Sequence, residues 1–223
     1  MNKWKSAIQN LSLSGSRSGG PDRRSARRAN DDDDIILDIQ RKIEDGMYLG
    51  NDSSKKFICR TRLDSIWSEV NLQAIPGFEK YPEPERLKAK QDYVLVLSIL
   101  IYMGWSDLHR FRPVFMRARL DDKHLFFDDG QLRQWLGRAT NTFLTCQYHF
   151  KPAIISRKPV AFKQFIDTRD RLPFTKEPVT LGSGGYGTVS LRVIAPRCFK
   201  DEVTGIGENS EVLSLPMFLK VLT

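Results

Sequence analysis

The most constraining feature of this chain is a glycine-rich stretch late in the sequence. It reads Leu181-Gly182-Ser183-Gly184-Gly185-Tyr186-Gly187-Thr188-Val189, so that three glycines stand in a G-x-G-x-x-G spacing. Glycines at this spacing let a backbone lie close to phosphate groups, because no side chain intervenes. Unrelated nucleotide-binding folds share the spacing, and its meaning therefore depends on the flanking structure.

The flanking residues predict strands on both sides of the glycines. Val189, Leu191 and Val193 alternate onto one face of a run that Pro196 ends, and residues 179–181 form a short β-type run before the glycines. A dinucleotide-binding turn needs a helix after its glycines, and an NTPase phosphate loop needs Gly-Lys-Ser/Thr, so both are excluded. The pattern indicates a β-hairpin with glycines at its turn.

This stretch resembles the glycine-rich loop of eukaryotic protein kinases, including the apolar residue before the first glycine and an aromatic residue at the loop tip. The resemblance implies an ATP-binding site and assigns nucleotide contacts to Leu181, Gly182, Ser183, Gly184, Gly185, Tyr186, Gly187 and Val189. It also implies a lysine that pairs with the phosphates, and residues 217–222 place Lys220 in that register. Lys200 is a rival, but it follows Pro196 in a polar context without a strand pattern, and we favour Lys220.

The remaining kinase motifs are absent from the sequence. The family's catalytic H-R-D loop and metal-binding D-F-G follow the lysine, whereas His109-Arg110 here precedes the glycines and no aspartate follows it. The resemblance therefore implies the start of a Ser/Thr kinase lobe, truncated before the catalytic loop, with no catalytic residue and no metal ligand. We expect an inactive or pseudokinase-like chain, with Mg²⁺ accompanying ATP only where the missing lobe is supplied.

The upstream region resembles the helical region that precedes the kinase domain in a group of fungal kinase-like proteins. The residues that carry this resemblance are Ile101-Tyr102-Met103-Gly104-Trp105, His109-Arg110-Phe111, residues 143–150 and Leu172-Pro173-Phe174. It implies no chemistry for the helical region.

The sequence predicts an α+β fold in which a helical domain precedes a short antiparallel sheet. The expected divisions are a disordered tail over 1–34, a helical domain over 35–150, a linker with short strands over 151–172 and a partial kinase lobe over 173–223. The expected helices are 35–43 with a stop at Gly46, 61–73, 83–105, 106–111 capped by Ser106, a stretch from Asp128 or Asp129 to Leu136, and 139–147. Residues 93–103 are apolar on all sides, so we expect that helix at the centre of the core.

The net charge of +8 is concentrated in the first 30 residues, which leaves the rest of the chain nearly neutral. A nucleic-acid partner is therefore disfavoured, and the aromatic residues over 102–150 are better explained by core packing than by base stacking. The tail reads as solvated, although Ser25 after Arg23-Arg24 would also suit a basophilic kinase. The aspartates 31–34 either pair with the preceding arginines or cap the start of a helix, and we favour the cap.

Three widely spaced cysteines argue against a disulfide framework and favour a reducing compartment, cytoplasmic or nuclear. Cys146-x-x-His149 is half of a metal-binding spacing without a second half, so we expect no zinc site. The apolar run over 93–103 is too short to cross a bilayer, and we expect no membrane partner.

A second function remains open on the sequence. If the strands over 179–222 lack the helix and further strands that normally cover them, they leave an apolar surface and an unpaired edge. In that case the glycines form a flexible hairpin, and the incomplete sheet docks a partner protein without any dependence on nucleotide.

Overall fold

The structure, a computed structural model, describes residues 23–49, 56–157, 169–184, 187–201, 205–206 and 212–213. Within these ranges a helical region is followed by two small sheets, in agreement with the α+β prediction. The helices are α1 (Arg23–Gly46), α2 (Arg60–Glu69), α3 (Glu83–Asp92), α4 (Val94–Tyr102), α5 (Asp129–Leu136) and α6 (Thr140–Phe150). The strands are β1 (Ile155–Arg157), β2 (Val179–Gly184), β3 (Gly187–Val193), β4 (Phe199–Asp201), β5 (Gly205–Ile206) and β6 (Val212–Leu213).

Helix α4 is the centre of the helical core, as its all-round apolar sequence predicted. Its residues 94–101 are all buried, and it packs against α1, α2, α3 and α6. The one polar side chain among these eight residues, Ser98, donates to the Val94 carbonyl at 2.6 Å and accepts from Trp67 Nε1 at 2.8 Å. A helix surrounded on every side keeps a polar group only when that group is hydrogen-bonded.

The prediction of one continuous helix over 83–105 is wrong, because the chain breaks at Tyr93 (φ −129°, ψ 19°). The cause is a carboxylate from a distant segment. Both oxygens of Asp122 lie 3.0 Å from the Leu95 amide nitrogen, and Oδ1 lies 3.0 Å from that of Val96. Helix α4 thus begins with its own buried cap, since a carboxylate there satisfies donors that have no partner inside the helix.

Asp122 is held in turn by Arg60, whose Nη1 donates to its Oδ2 at 2.9 Å. Burial raises the pKa of the Asp122 carboxyl to about 6, against the lowering effect of the Leu95 and Val96 amides and of Arg60. The guanidinium also donates through Nε to Asp64 at 2.7 Å. One buried carboxylate therefore joins the start of α2 to the start of α4.

The start of α1 and the end of α2 also differ from prediction. Helix α1 begins at Arg23 rather than Ile35, so the aspartates 31–34 lie inside it and not at its N-terminus. Arginines 27 and 28 precede aspartates 31 and 32 by four residues, a spacing that favours a helix. Helix α2 ends at Glu69 and gives way to a 3₁₀ turn over Leu72–Ala74.

The predicted helix over 106–111 is a 3₁₀ turn over Leu108–Arg110, which follows Asp107, and Ser106 does not cap it. Pro113 lies in a π-helical turn over Arg112–Met116. Helix α5 agrees with prediction, because the Asp128 side chain accepts from the Gln131 amide at 2.8 Å and completes a capping box.

Aromatic residues of the helical region fill its core, which confirms the packing interpretation. Phe111 and Phe115 stack with their centroids 5.4 Å apart, and Phe115 stacks on Phe143 at 6.2 Å. All three are fully buried, so they offer no platform for a base.

The strands form two separate sheets. The first has the order β1-β4-β5, with β1 parallel to β4 and β4 antiparallel to β5. The second has the order β2-β3-β6 and is antiparallel throughout. Strand β1 falls in the segment expected to be a linker, and it anchors the chain that follows β3 beside the helical region.

A second and smaller buried cluster, which we call the junction core, lies where the helical region meets the sheets. It consists of Phe57, Cys59, Ile155, Phe174, Ile194, Ala195, Cys198 and Phe199.

Gly77 is required by its surroundings. Its φ is +88°, and a Cβ placed on it would lie 2.4 Å from the Cα of His109. We predict that Gly77→Ala lowers the free energy of unfolding by about 3 kcal/mol in urea denaturation. Gly104→Ala is the matched control, because Gly104 has a φ of +72° but no atom within 4 Å of its Cβ position. Gly104→Ala should lower the free energy of unfolding by about 1 kcal/mol. Equal losses would show that backbone conformation alone matters.

Removing the buried cap should cost more than removing an exposed ion pair of the same arginine. Asp122→Ala leaves two buried amides without their acceptor and removes one of the acceptors of Arg60, and we expect a loss of about 3 kcal/mol in unfolding free energy. Asp64→Ala, at a side chain 43% exposed, should lower the unfolding free energy by only about 0.5 kcal/mol. Similar losses in the two variants would contradict the role assigned to Asp122.

Candidate functional site

The glycine-rich stretch forms an antiparallel hairpin between β2 and β3. Gly184 pairs with Gly187, Ser183 with Thr188 and Gly182 with Val189. Gly185 and Tyr186, which connect the two strands, lie outside the described residues. The two strands expected on either side of the glycines are therefore present in the backbone, and a strand rather than a helix follows them.

Among the described residues, none requires a glycine at position 182. Its φ lies outside the left-handed region, and a Cβ built on it would meet no atom within 4 Å. A residue with a side chain would therefore fit both the local backbone and the local packing. The open space beside Gly182 is available to a molecule that approaches the backbone closely.

Leu181 lies at an irregularity in the strand pairing, between Thr180 and Gly182. It is 61% exposed, and Val179 on the same strand is 58% exposed. Large apolar side chains with this exposure lack the burial that normally stabilises a strand. Strand β2 is also an edge of its sheet, so this apolar surface lies beside the glycines at an open edge.

The third strand of this sheet was missed by the sequence analysis. No strand was expected at Val212 and Leu213, yet they pair with Val193 and Arg192. The alternation of Leu213, Ser214 and Leu215 was the available signal. Neighbouring glycine and glutamate residues obscured it.

Two lysines were considered as phosphate partners. Lys220 lies outside the described residues. The expectation that no strand surrounds Lys200 is wrong, since Lys200 is exposed in β4 and pairs with Ile206 of β5. That strand belongs to the other sheet, so the structure does not bring Lys200 into the sheet of the hairpin.

The Cys146-x-x-His149 spacing has no metal-binding partners in the part of the chain that the structure describes, where no group of three or more His, Cys, Asp or Glu side chains could hold a metal. Burial raises the pKa of the Cys146 thiol to about 11. Burial, assisted by the nearby Arg171 and Lys56 charges, lowers the pKa of His149 to about 4. Both groups are therefore neutral at pH 7 and packed within the helical region.

None of the described helices has the length and apolar character needed to cross a membrane. No family model, curated protein or solved structure gives a match to this chain. The hairpin geometry and the chemistry of its residues are therefore the basis for assigning a function.

The depressed pKa of His149 gives a test of its burial. The unfolded chain binds a proton near pH 6.5 and the folded chain only near pH 4, so His149 destabilises the fold as the pH falls through this window. We predict that, between pH 7.5 and pH 5, the free energy of unfolding falls by about 2 kcal/mol more for wild type than for His149→Gln, as measured from urea midpoints. His109→Gln, at an exposed histidine, should follow wild type. If the stability of His149→Gln fell with decreasing pH as steeply as that of wild type, the result would contradict the burial of His149.

Proposed function

We propose that the β2–β3 hairpin binds the phosphates of ATP, as the glycine-rich loop of a protein kinase-like lobe. The observation that carries this proposal is the antiparallel hairpin with Gly182, Gly184 and Gly187 about its turn and open space beside Gly182. Backbone N–H groups at such a turn can donate to phosphate oxygens without hindrance from side chains. Leu181, exposed next to the first glycine, would offer an apolar surface to the base.

The strand order favours Lys220 over Lys200 as the phosphate partner. Strand β6 pairs with β3 through Leu213 and Arg192. The assignment of Lys220 itself rests on the sequence pattern over residues 217–222. The rival Lys200 lies in β4, which belongs to a different sheet from the hairpin.

The proposed activity is nucleotide binding without phosphoryl transfer by this chain. Its sequence contains neither the H-R-D nor the D-F-G motif, and these motifs supply the aspartates that position the substrate hydroxyl and the Mg²⁺ ions. We propose that this segment of a Ser/Thr kinase-like protein needs further catalytic elements for turnover.

Gly184→Val tests the proposal. A valine at 184 would place a branched side chain where the backbone must approach the phosphates, and we expect at least a tenfold loss of ATP affinity in isothermal titration calorimetry. Lys220→Met should weaken binding by a similar factor, because it removes a charge-assisted contact. Lys200→Met is the matched control and should bind as wild type does. Tight ATP binding by Gly184→Val, or none by wild type, would overturn the proposal.

A second candidate function is a protein-binding edge, and it rests on the exposure of Val179 and Leu181 on edge strand β2. An extended segment of a partner could add to this edge through main-chain hydrogen bonds. Leu181→Asp would then abolish partner binding, while Gly184→Val would leave it intact. Under the nucleotide proposal the same Gly184→Val substitution is the damaging one, so the pair of variants separates the two functions.

A further inference from the structure

Strand β3 runs directly from the glycine hairpin into the junction core. Ile194 and Ala195 follow its last residue, and each is 2% exposed. Ile194 pairs with Phe174 in an antiparallel bridge. The strand that begins at Gly187 therefore ends in a buried cluster rather than in a free loop.

Main-chain hydrogen bonds hold this end of the strand from two sides. The Thr175 amide donates to the Val193 carbonyl at 2.9 Å, and the Ala195 amide donates to the Pro173 carbonyl at 2.8 Å. Ile155 of β1 donates to the Cys198 carbonyl at 2.8 Å. Breaking these bonds would expose buried backbone groups, which is costly.

The helical region supplies the other wall of the junction core. Phe57 and Cys59 belong to this cluster, whereas Ile58 between them belongs to the main helical core. The Ile58 amide also donates to the carbonyl of His149 in α6 at 2.8 Å. One short segment thus contributes alternate side chains to both cores, so that neither core can move far without the other.

Phe174 makes the most direct contact between the junction core and the hairpin. Its side chain is 4% exposed, and the Arg192 guanidinium carbon lies 5.2 Å from its ring centroid. Arg192 is also the residue that pairs with Leu213 of β6. Phe174 therefore contacts β3 both at its buried end and where β6 joins.

We propose that Phe174 is a positioning residue and that the junction core couples the glycine hairpin to the helical region as one cooperative unit. A ligand that binds the hairpin then stabilises the helical core, and by linkage a partner that binds the helical region alters affinity at the hairpin. The coupling of the two parts follows from the contacts alone. Its consequence for ATP rests on the function proposed above.

Native-state hydrogen exchange tests the coupling without any ligand. The amides of Thr175, Ala195 and Ile155 should exchange within about tenfold of the Leu97 amide in α4, since one unit opens at one free energy. Exchange of these junction amides more than about 100-fold faster than that of Leu97 would overturn the proposal, because the junction core would then open independently of the helical core and could not couple the hairpin to it.

Tryptophan fluorescence tests the linkage to ATP. Three of the four tryptophans, at 67, 105 and 135, lie in the helical region and none follows residue 135, so their signal does not come from the hairpin. ATP at about 100 times its Kd should raise the Tm of this signal by about 5 °C. Calorimetric ATP binding with an unchanged tryptophan Tm would refute the coupling. Absence of ATP binding together with uniform exchange would refute the proposed function and leave the coupling intact.

Substitution of Phe174 separates positioning from general stability. Phe174→Ala should weaken ATP binding at least tenfold at a temperature where the far-UV spectrum remains native, and Phe174→Tyr should restore it. Lys176→Ala, at an exposed position two residues after Phe174, is the control and should bind as wild type does. A folded Phe174→Ala with unchanged ATP affinity would show that Phe174 has no positioning role.

Discussion

The carboxylate of Asp122 lies buried at the start of helix α4, where it accepts hydrogen bonds from the Leu95 and Val96 amides and pairs with Arg60. Taking a charge out of water is expensive, and here two amides and one guanidinium offset the cost. The interaction sets the point at which the central helix begins and joins it to α2. Since α4 contacts four other helices, the geometry of the helical core depends on this one side chain.

A three-residue segment, residues 57–59, connects the helical core to the sheets. Phe57 and Cys59 face the junction core while Ile58 faces the helical core, and this alternation is the ordinary consequence of an extended backbone. The sheets are small, with strands of two to seven residues. Sheets of this size have little independent stability and need such a surface to pack against.

At the other end of β3, the hairpin leaves large apolar side chains exposed, whereas folded proteins usually bury such side chains. Leu181 and Val179 are mostly exposed at an edge, and Gly182 has free space where a side chain would fit. Under the nucleotide-binding proposal, a planar base and its phosphate chain would cover this apolar surface and the open backbone beside it. The same exposure would serve an added strand, and this is why substitution at 184 and substitution at 181 distinguish the two functions.

The sequence alone predicted the α+β class, the hairpin over the glycines, the central position of the apolar helix over 93–103 and the start of α5 at Asp128 or Asp129. Each of these depends on local periodicity, on glycine and proline positions, or on a cap within a few residues. The break at Tyr93, the pairing of β1 with β4 and the strand at Val212–Leu213 were decided only by tertiary structure. In each case the deciding partner lies far away in sequence, as Asp122 does from Leu95, and local patterns carry no information about such distant contacts.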